Sequence, residues 1–74
     1  MKNKEKLQNV FVERLKELLQ EKGINQAKLS KETKIPQQSI SSWITGVRTI
    51  QIDSLCVLAD YFGVTTDYLL GREM

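Results

Sequence analysis

The sequence predicts an all-α fold in which five short helices share one core, and three observations predict it. Apolar residues recur at three- and four-residue spacing in successive stretches, glycines stand just past the ends of most of them, and no run alternates as a half-buried strand would. At 74 residues the chain has room for one domain, and folded domains this small bury only roughly 60% of the surface their unfolded chain exposes. The expected architecture is a compact single domain over residues 1–74, with residues 1–6 as a flexible basic arm.

The first helix is expected from about Leu7 to Lys22, where Phe11, Leu15, Leu18 and Leu19 mark an amphipathic stripe and Gly23 ends it. Asn25 suits the cap of a second helix, Gln26 to about Thr33, with Ile24 and Leu29 at the two positions of a hydrophobic staple. Lys34-Ile35-Pro36 interrupts it, because a residue before proline is biased away from the helical region. A third helix spans about Gln37 to Thr45, with Ile40, Trp43 and Ile44 on its inner side, and Gly46 closes it. The fourth, about Ile52 to Phe62, buries Leu55, Leu58, Ala59 and Phe62 before Gly63. Thr65 caps a last short helix, stapled by Val64 and Leu69 and terminated at Gly71.

Composition removes several classes of function. No apolar stretch approaches the roughly 18 residues of a membrane span, and the N-terminus lacks the apolar core of a secretory signal, so a cytoplasmic protein is expected. With no histidine and one cysteine, the common zinc sites and His-dependent nucleophiles are unavailable, and neither an enzyme nor a metal or other cofactor is expected. Cys56 has no partner for an internal disulfide and is expected to pack as a small buried hydrophobe. Net charge is only +2, yet residues 1–34 carry nine Lys/Arg against five Asp/Glu and residues 35–74 carry two against four, which makes the N-terminal half the polyanion side.

The informative pair is Gln26–Thr33 and Gln37–Thr45, two short helices joined by three residues, as in a DNA-binding helix-turn-helix. A B-DNA major groove accepts one α-helix, so the second helix must turn a polar N-terminal end to the bases and an apolar side inward. Gln37, Gln38 and Ser39 come first in that helix, with Ser42 one turn later, while Ile40 and Trp43 anchor it from behind. The N-terminus of the preceding helix offers unpaired backbone N–H groups to a phosphate, with Gln26 beside them.

Ile24-Asn25-Gln26-Ala27-x-Leu29, Pro36-Gln37-Gln38-Ser39-Ile40-Ser41, Gly46, and Leu55-x-x-Leu58-Ala59-x-x-Phe62-Gly63-Val64-x-x-Asp67-x-Leu69-Leu70 resemble the Cro/CI-type (XRE-like) helix-turn-helix family over about residues 11–71. The resemblance implies a lambda-repressor-like domain and is close to lambdoid-phage and prophage repressors, whose recognition helix opens on a Gln-Gln-Ser run that reads bases. It implies base contacts from Gln37, Gln38, Ser39 and Ser42, and phosphate contacts from Gln26 and from Gly46 to Thr49, with Arg48 the charged member and Thr49 beside it. Lys28 and Lys34 are further phosphate candidates. They, with Lys31, equally suit a solvated surface.

The chain departs from the family pattern at three positions. Lys34 stands where the turn usually has glycine, Ser30 where alanine packs, and Ile44 where glutamate is common. A non-glycine residue in the left-handed region costs roughly 1 to 2 kcal/mol, so strain is expected at Lys34.

Other features read as structure. Trp43 belongs to the core by its spacing from Ile40, and Glu13, Glu17 and Glu21, interleaved with Arg14, Lys16 and Lys22, form a charged surface rather than a metal site. Tyr61, Tyr68, Leu69, Leu70 and Met74 exceed what a small core hides and are candidates for a homodimer surface. The functional expectation is a repressor binding a pseudo-palindromic double-stranded operator as a homodimer, at the bacterial nucleoid when bound. The alternative is an antitoxin or antirepressor-like module whose apolar surface binds a regulatory protein. The chain ends just after the fifth helix, so no separate effector or self-cleavage domain is expected in it.

Overall fold

The computed structural model describes residues 2–72, with side chains from Asn9 onward. Among these described residues five helices follow one another: α1 (Lys2–Lys22), α2 (Gln26–Thr33), α3 (Gln37–Thr45), α4 (Ile52–Phe62) and α5 (Thr66–Leu70). Among the described residues there is no strand, and no helix is long and apolar enough to cross a membrane.

Local chemistry sets the boundaries. The Asn25 side chain accepts from the Lys28 backbone N–H at 2.9 Å, and the Thr65 hydroxyl oxygen accepts from the Tyr68 N–H at 2.9 Å, each satisfying a donor that the first helical turn leaves unpaired. At the end of α1, Gly23 N–H donates to Gln20 and Ile24 N–H to Leu19, which recovers carbonyls the helix leaves open. The expected bounds of α2, α3 and α4 hold. The first helix begins at Lys2 rather than near Leu7, so that the backbone of residues 2–6, expected as an arm, is helical.

Helix α1 supplies Phe11, Leu15, Leu18 and Leu19 to the core, α2 supplies Leu29, and α4 supplies Leu55, Leu58 and Ala59. Ile35 fills in from the α2–α3 turn and Leu69 from α5. Phe62, expected in the core, is half-buried against it. Helix α1 packs along α5, α2 packs on α3 and α4, and α4 on α5, so the short helices are held by neighbours rather than by their own length. The close approach of α5 to α1 depends on Gly71: at φ 71, a Cβ there would sit 2.5 Å from Val10 Cγ1.

Cys56 is a correction. It is exposed, one turn beyond Ile52, because the inner face of α4 is the stripe of Leu55, Leu58 and Ala59 and position 56 falls to its side.

Candidate nucleic-acid interface

Helix α3 divides into two faces. Ile40 is fully buried and Trp43 is 5% exposed, and the Trp43 ring meets Phe11 of α1 edge to face, with centroids 6.2 Å apart at 71°. Gln37 and Gln38 are exposed at the opposite, N-terminal end, and Ser39 and Ser42 are half-buried. Helical spacing places Gln38, Ser42 and Thr45 on one outward ridge at i, i+4 and i+7. Thr45, absent from the residues expected on this face, joins it through its three-residue spacing to Ser42.

The hydroxyls on this ridge are engaged. Ser42 Oγ donates to the Gln38 carbonyl at 2.8 Å, and Thr45 Oγ1 donates to the Ser41 carbonyl at 3.0 Å and approaches that of Ser42 at 3.3 Å. The segment after α3 folds back on its last turn, since the Val47 and Arg48 backbone N–H groups both donate to the Ser42 carbonyl, at 2.9 and 3.2 Å. Arg48 and Thr49, the expected backbone contacts, are both exposed in this segment.

The turn between α2 and α3 accommodates its unusual residues. Lys34 caps α2 at φ 64 and ψ 19, the one described non-glycine residue with positive φ, as its place at a glycine position required. Hydrogen bonds brace the turn on both sides. Lys34 N–H donates to the Ser30 carbonyl at 2.8 Å, and the Ser30 hydroxyl donates to the Ile35 carbonyl at 2.5 Å. Thr33 Oγ1 donates to Leu29 at 2.7 Å while accepting from Ile35 N–H at 3.3 Å. The hydroxyl that replaces an alanine methyl at Ser30 thus holds the carbonyl of the residue before Pro36. Ile44, at a position where glutamate is common, packs partly buried against the core.

Gln26 is half-buried at the start of α2, and Lys34 is exposed in the turn. Lys28 forms an ion pair with Glu32 at 3.1 Å, so its charge already has a protein partner. Glu32 also accepts a short hydrogen bond from the Tyr61 hydroxyl, and the Lys22 ammonium lies 4.9 Å from the Tyr61 ring centroid. The Tyr61 hydrogen bond, then Lys28, holds the Glu32 carboxyl below its ordinary range, and the same bond to Glu32 pushes the Tyr61 phenol up. These four side chains tie α1, α2 and α4 together.

One residue of the expected dimer surface needs correction. Leu69 is fully buried in the chain's own core and presents nothing to a partner. Tyr61 is half-buried within the Glu32 cluster. Tyr68 is half-buried under Arg14, whose guanidinium lies 4.3 Å from the ring centroid and donates to the Tyr68 carbonyl at 3.1 Å. Leu70 is half-buried against the core, and Met74 lies outside the described residues. Among the described residues the large apolar side chains that are exposed are Val47, Ile52 and Val57. Among the described residues no group of three or more acidic, cysteine or histidine side chains is placed to hold a metal ion.

A family model described as helix-turn-helix matches residues 15–69, a span that runs from the middle of α1 to α5 and includes the braced turn. The chain belongs to the helix-turn-helix family. Membership makes it a DNA-binding module rather than an enzyme. It is also similar to the HTH-type transcriptional regulator ImmR of Bacillus subtilis (strain 168), with 33% identity over 60 residues that cover 81% of this chain and 47% of that protein. The chain therefore spans about half the length of this curated relative. No solved structure gives a significant match.

Proposed function

We propose that the chain is a sequence-specific transcriptional regulator of the phage or prophage repressor type, which inserts α3 into the major groove of a pseudo-palindromic operator. The division of α3 carries this reading: Ile40 and Trp43 are locked inside while Gln37 and Gln38 stand exposed at the end that enters the groove. A glutamine amide offers a donor and an acceptor together and can pair with both N6 and N7 of adenine. Ser39 and Ser42 complete the base-reading set. Gln26, Lys34, Arg48 and Thr49 fix the register on phosphates, and Lys28 joins them only by leaving Glu32. Binding as a homodimer doubles the contact and matches the two-fold symmetry of the site. Repression follows from exclusion of polymerase, in the cytoplasm and at the nucleoid. Similarity to a protein named as a transcriptional regulator supports the assignment.

A second reading draws on the exposed Val47, Ile52 and Val57, which suit an antitoxin or antirepressor-like module with a protein partner.

Selection of bound sequences from a random duplex pool at physiological salt separates the two, with a Gln37→Ala, Gln38→Ala double variant alongside. A two-fold-symmetric motif that the variant no longer selects is the expected result. Failure of the folded wild-type protein to enrich any sequence would transfer the assignment to the protein-interaction module.

A further inference from the structure

We infer that Ser42 takes part in base reading as a hydrogen-bond acceptor only, so that it selects an exocyclic amino group, N6 of adenine or N4 of cytosine. The inference rests on the proposed insertion of α3 into the major groove and goes beyond it by assigning a polarity to one contact. A serine hydroxyl has one proton and two lone pairs, and in general it reads either a donor or an acceptor on a base edge. Here the proton is committed: Ser42 Oγ donates to the Gln38 carbonyl at 2.8 Å along the outward ridge of α3.

Counting bonds decides which way the hydroxyl faces a base. To donate to O6 or N7 of guanine, or to O4 of thymine, Ser42 would break its bond to Gln38 and make one in exchange, with no gain in number. Accepting from an amino group keeps the first bond and adds a second. A hydroxyl that already donates is also polarised into a better acceptor. Thr45, one turn on, has the same arrangement toward the Ser41 carbonyl at 3.0 Å. The outward ridge therefore has its side-chain donor at Gln38 and acceptors beyond it, a polarity that a list of residue types does not contain.

The test uses the duplex selected by the wild-type protein. Adenines and cytosines are replaced one at a time by purine and 2-pyrimidinone, which lack the amino group, and purines by their 7-deaza analogues, which lack the N7 acceptor. Affinities of wild type and Ser42→Ala are compared in double-mutant cycles. Alanine is the better helix former, and circular dichroism checks that the variant is folded. The expected result is one position where removing the amino group weakens wild type about three- to tenfold and leaves Ser42→Ala unaffected, with equal 7-deaza effects in both proteins. Coupling of Ser42 to a 7-deaza substitution, or to no amino group, would overturn the polarity while leaving the regulator assignment in place. If the folded wild type selects no duplex, the inference falls together with that assignment.

Discussion

Lys34 and Gly71 both end a helix in the left-handed conformation, at φ 64 and φ 71, yet one carries a long side chain and the other none. What differs is the space beside them. Lys34 is exposed in the turn between α2 and α3, so its side chain meets only the backbone penalty of the conformation. Gly71 lies against α1, where a Cβ would fall 2.5 Å from Val10 Cγ1 and 3.3 Å from Val10 Cβ. A position that favours glycine for its torsion alone tolerates another residue when neighbouring hydrogen bonds brace it. One that needs glycine for close packing as well does not.

The sharpest way to break this comparison is Gly71→Ala. It combines an overpacked contact with a left-handed alanine, and a loss of about 2 to 4 kcal/mol is expected in urea denaturation. Adding Val10→Ala should relieve the contact and make the further loss on Gly71→Ala smaller than in the wild-type background. An equal loss in both backgrounds would show that torsion, not packing, sets the requirement at Gly71. Next in size is Ser30→Ala, which removes the donor to the Ile35 carbonyl and should cost about 1 kcal/mol. Lys34→Gly acts in the opposite direction. It relieves the torsion at the expense of unfolded-chain entropy, and a gain of about 0.5 to 1 kcal/mol is expected in the same assay.

The smallest effect is expected at Tyr61→Phe, because Glu32 is exposed and Tyr61 only half-buried, so that solvent screens the interaction. Its signature is pH dependence. A carboxyl held below its ordinary value contributes stability that is present above the unfolded value and is lost as pH falls through the lowered one. A phenol held above its ordinary value contributes stability that is present below the unfolded value and is lost as pH rises through the raised one. The difference in stability between wild type and Tyr61→Phe should therefore be level between these limits and shrink at both. In carboxyl-resolved NMR titration, Glu32 of the variant should titrate at higher pH than in wild type.

Which features were legible in the sequence follows from the range of the forces that set them. Asn25, Gly46 and Gly63 act within one helical turn, so the limits of α2, α3 and α4 could be read from neighbouring residues. The inner face of α3 was equally legible, because Ile40 and Trp43 repeat at helical spacing. The start of α1 was not, since Leu7 is the last apolar residue before Met1 and no periodicity remains to mark a boundary. The bond between Tyr61 and Glu32 was not, since the two lie 29 positions apart and nothing local announces it. The burial of Leu69 is hidden because α5 has five residues, too few for a periodic pattern to show which side meets the core. Cys56 failed for a subtler reason: apolar neighbours on α4 describe a stripe, and a residue just off it reads as part of it. For the proposed DNA-reading set, residue types were visible in the sequence, whereas the commitment of the Ser42 proton depends on a rotamer.

Trp43 is the chain's single tryptophan, and its indole lies behind the helix proposed to read bases, against Phe11. Intrinsic fluorescence therefore observes one place, the seam between α3 and α1. Detachment of α3 in denaturant should bring the indole into water and shift its emission to the red. A duplex bound across the outward ridge would leave the same ring covered. A change in emission on adding DNA would then report a reseating of α3 on the protein rather than stacking on a base, and no external label is needed to see it.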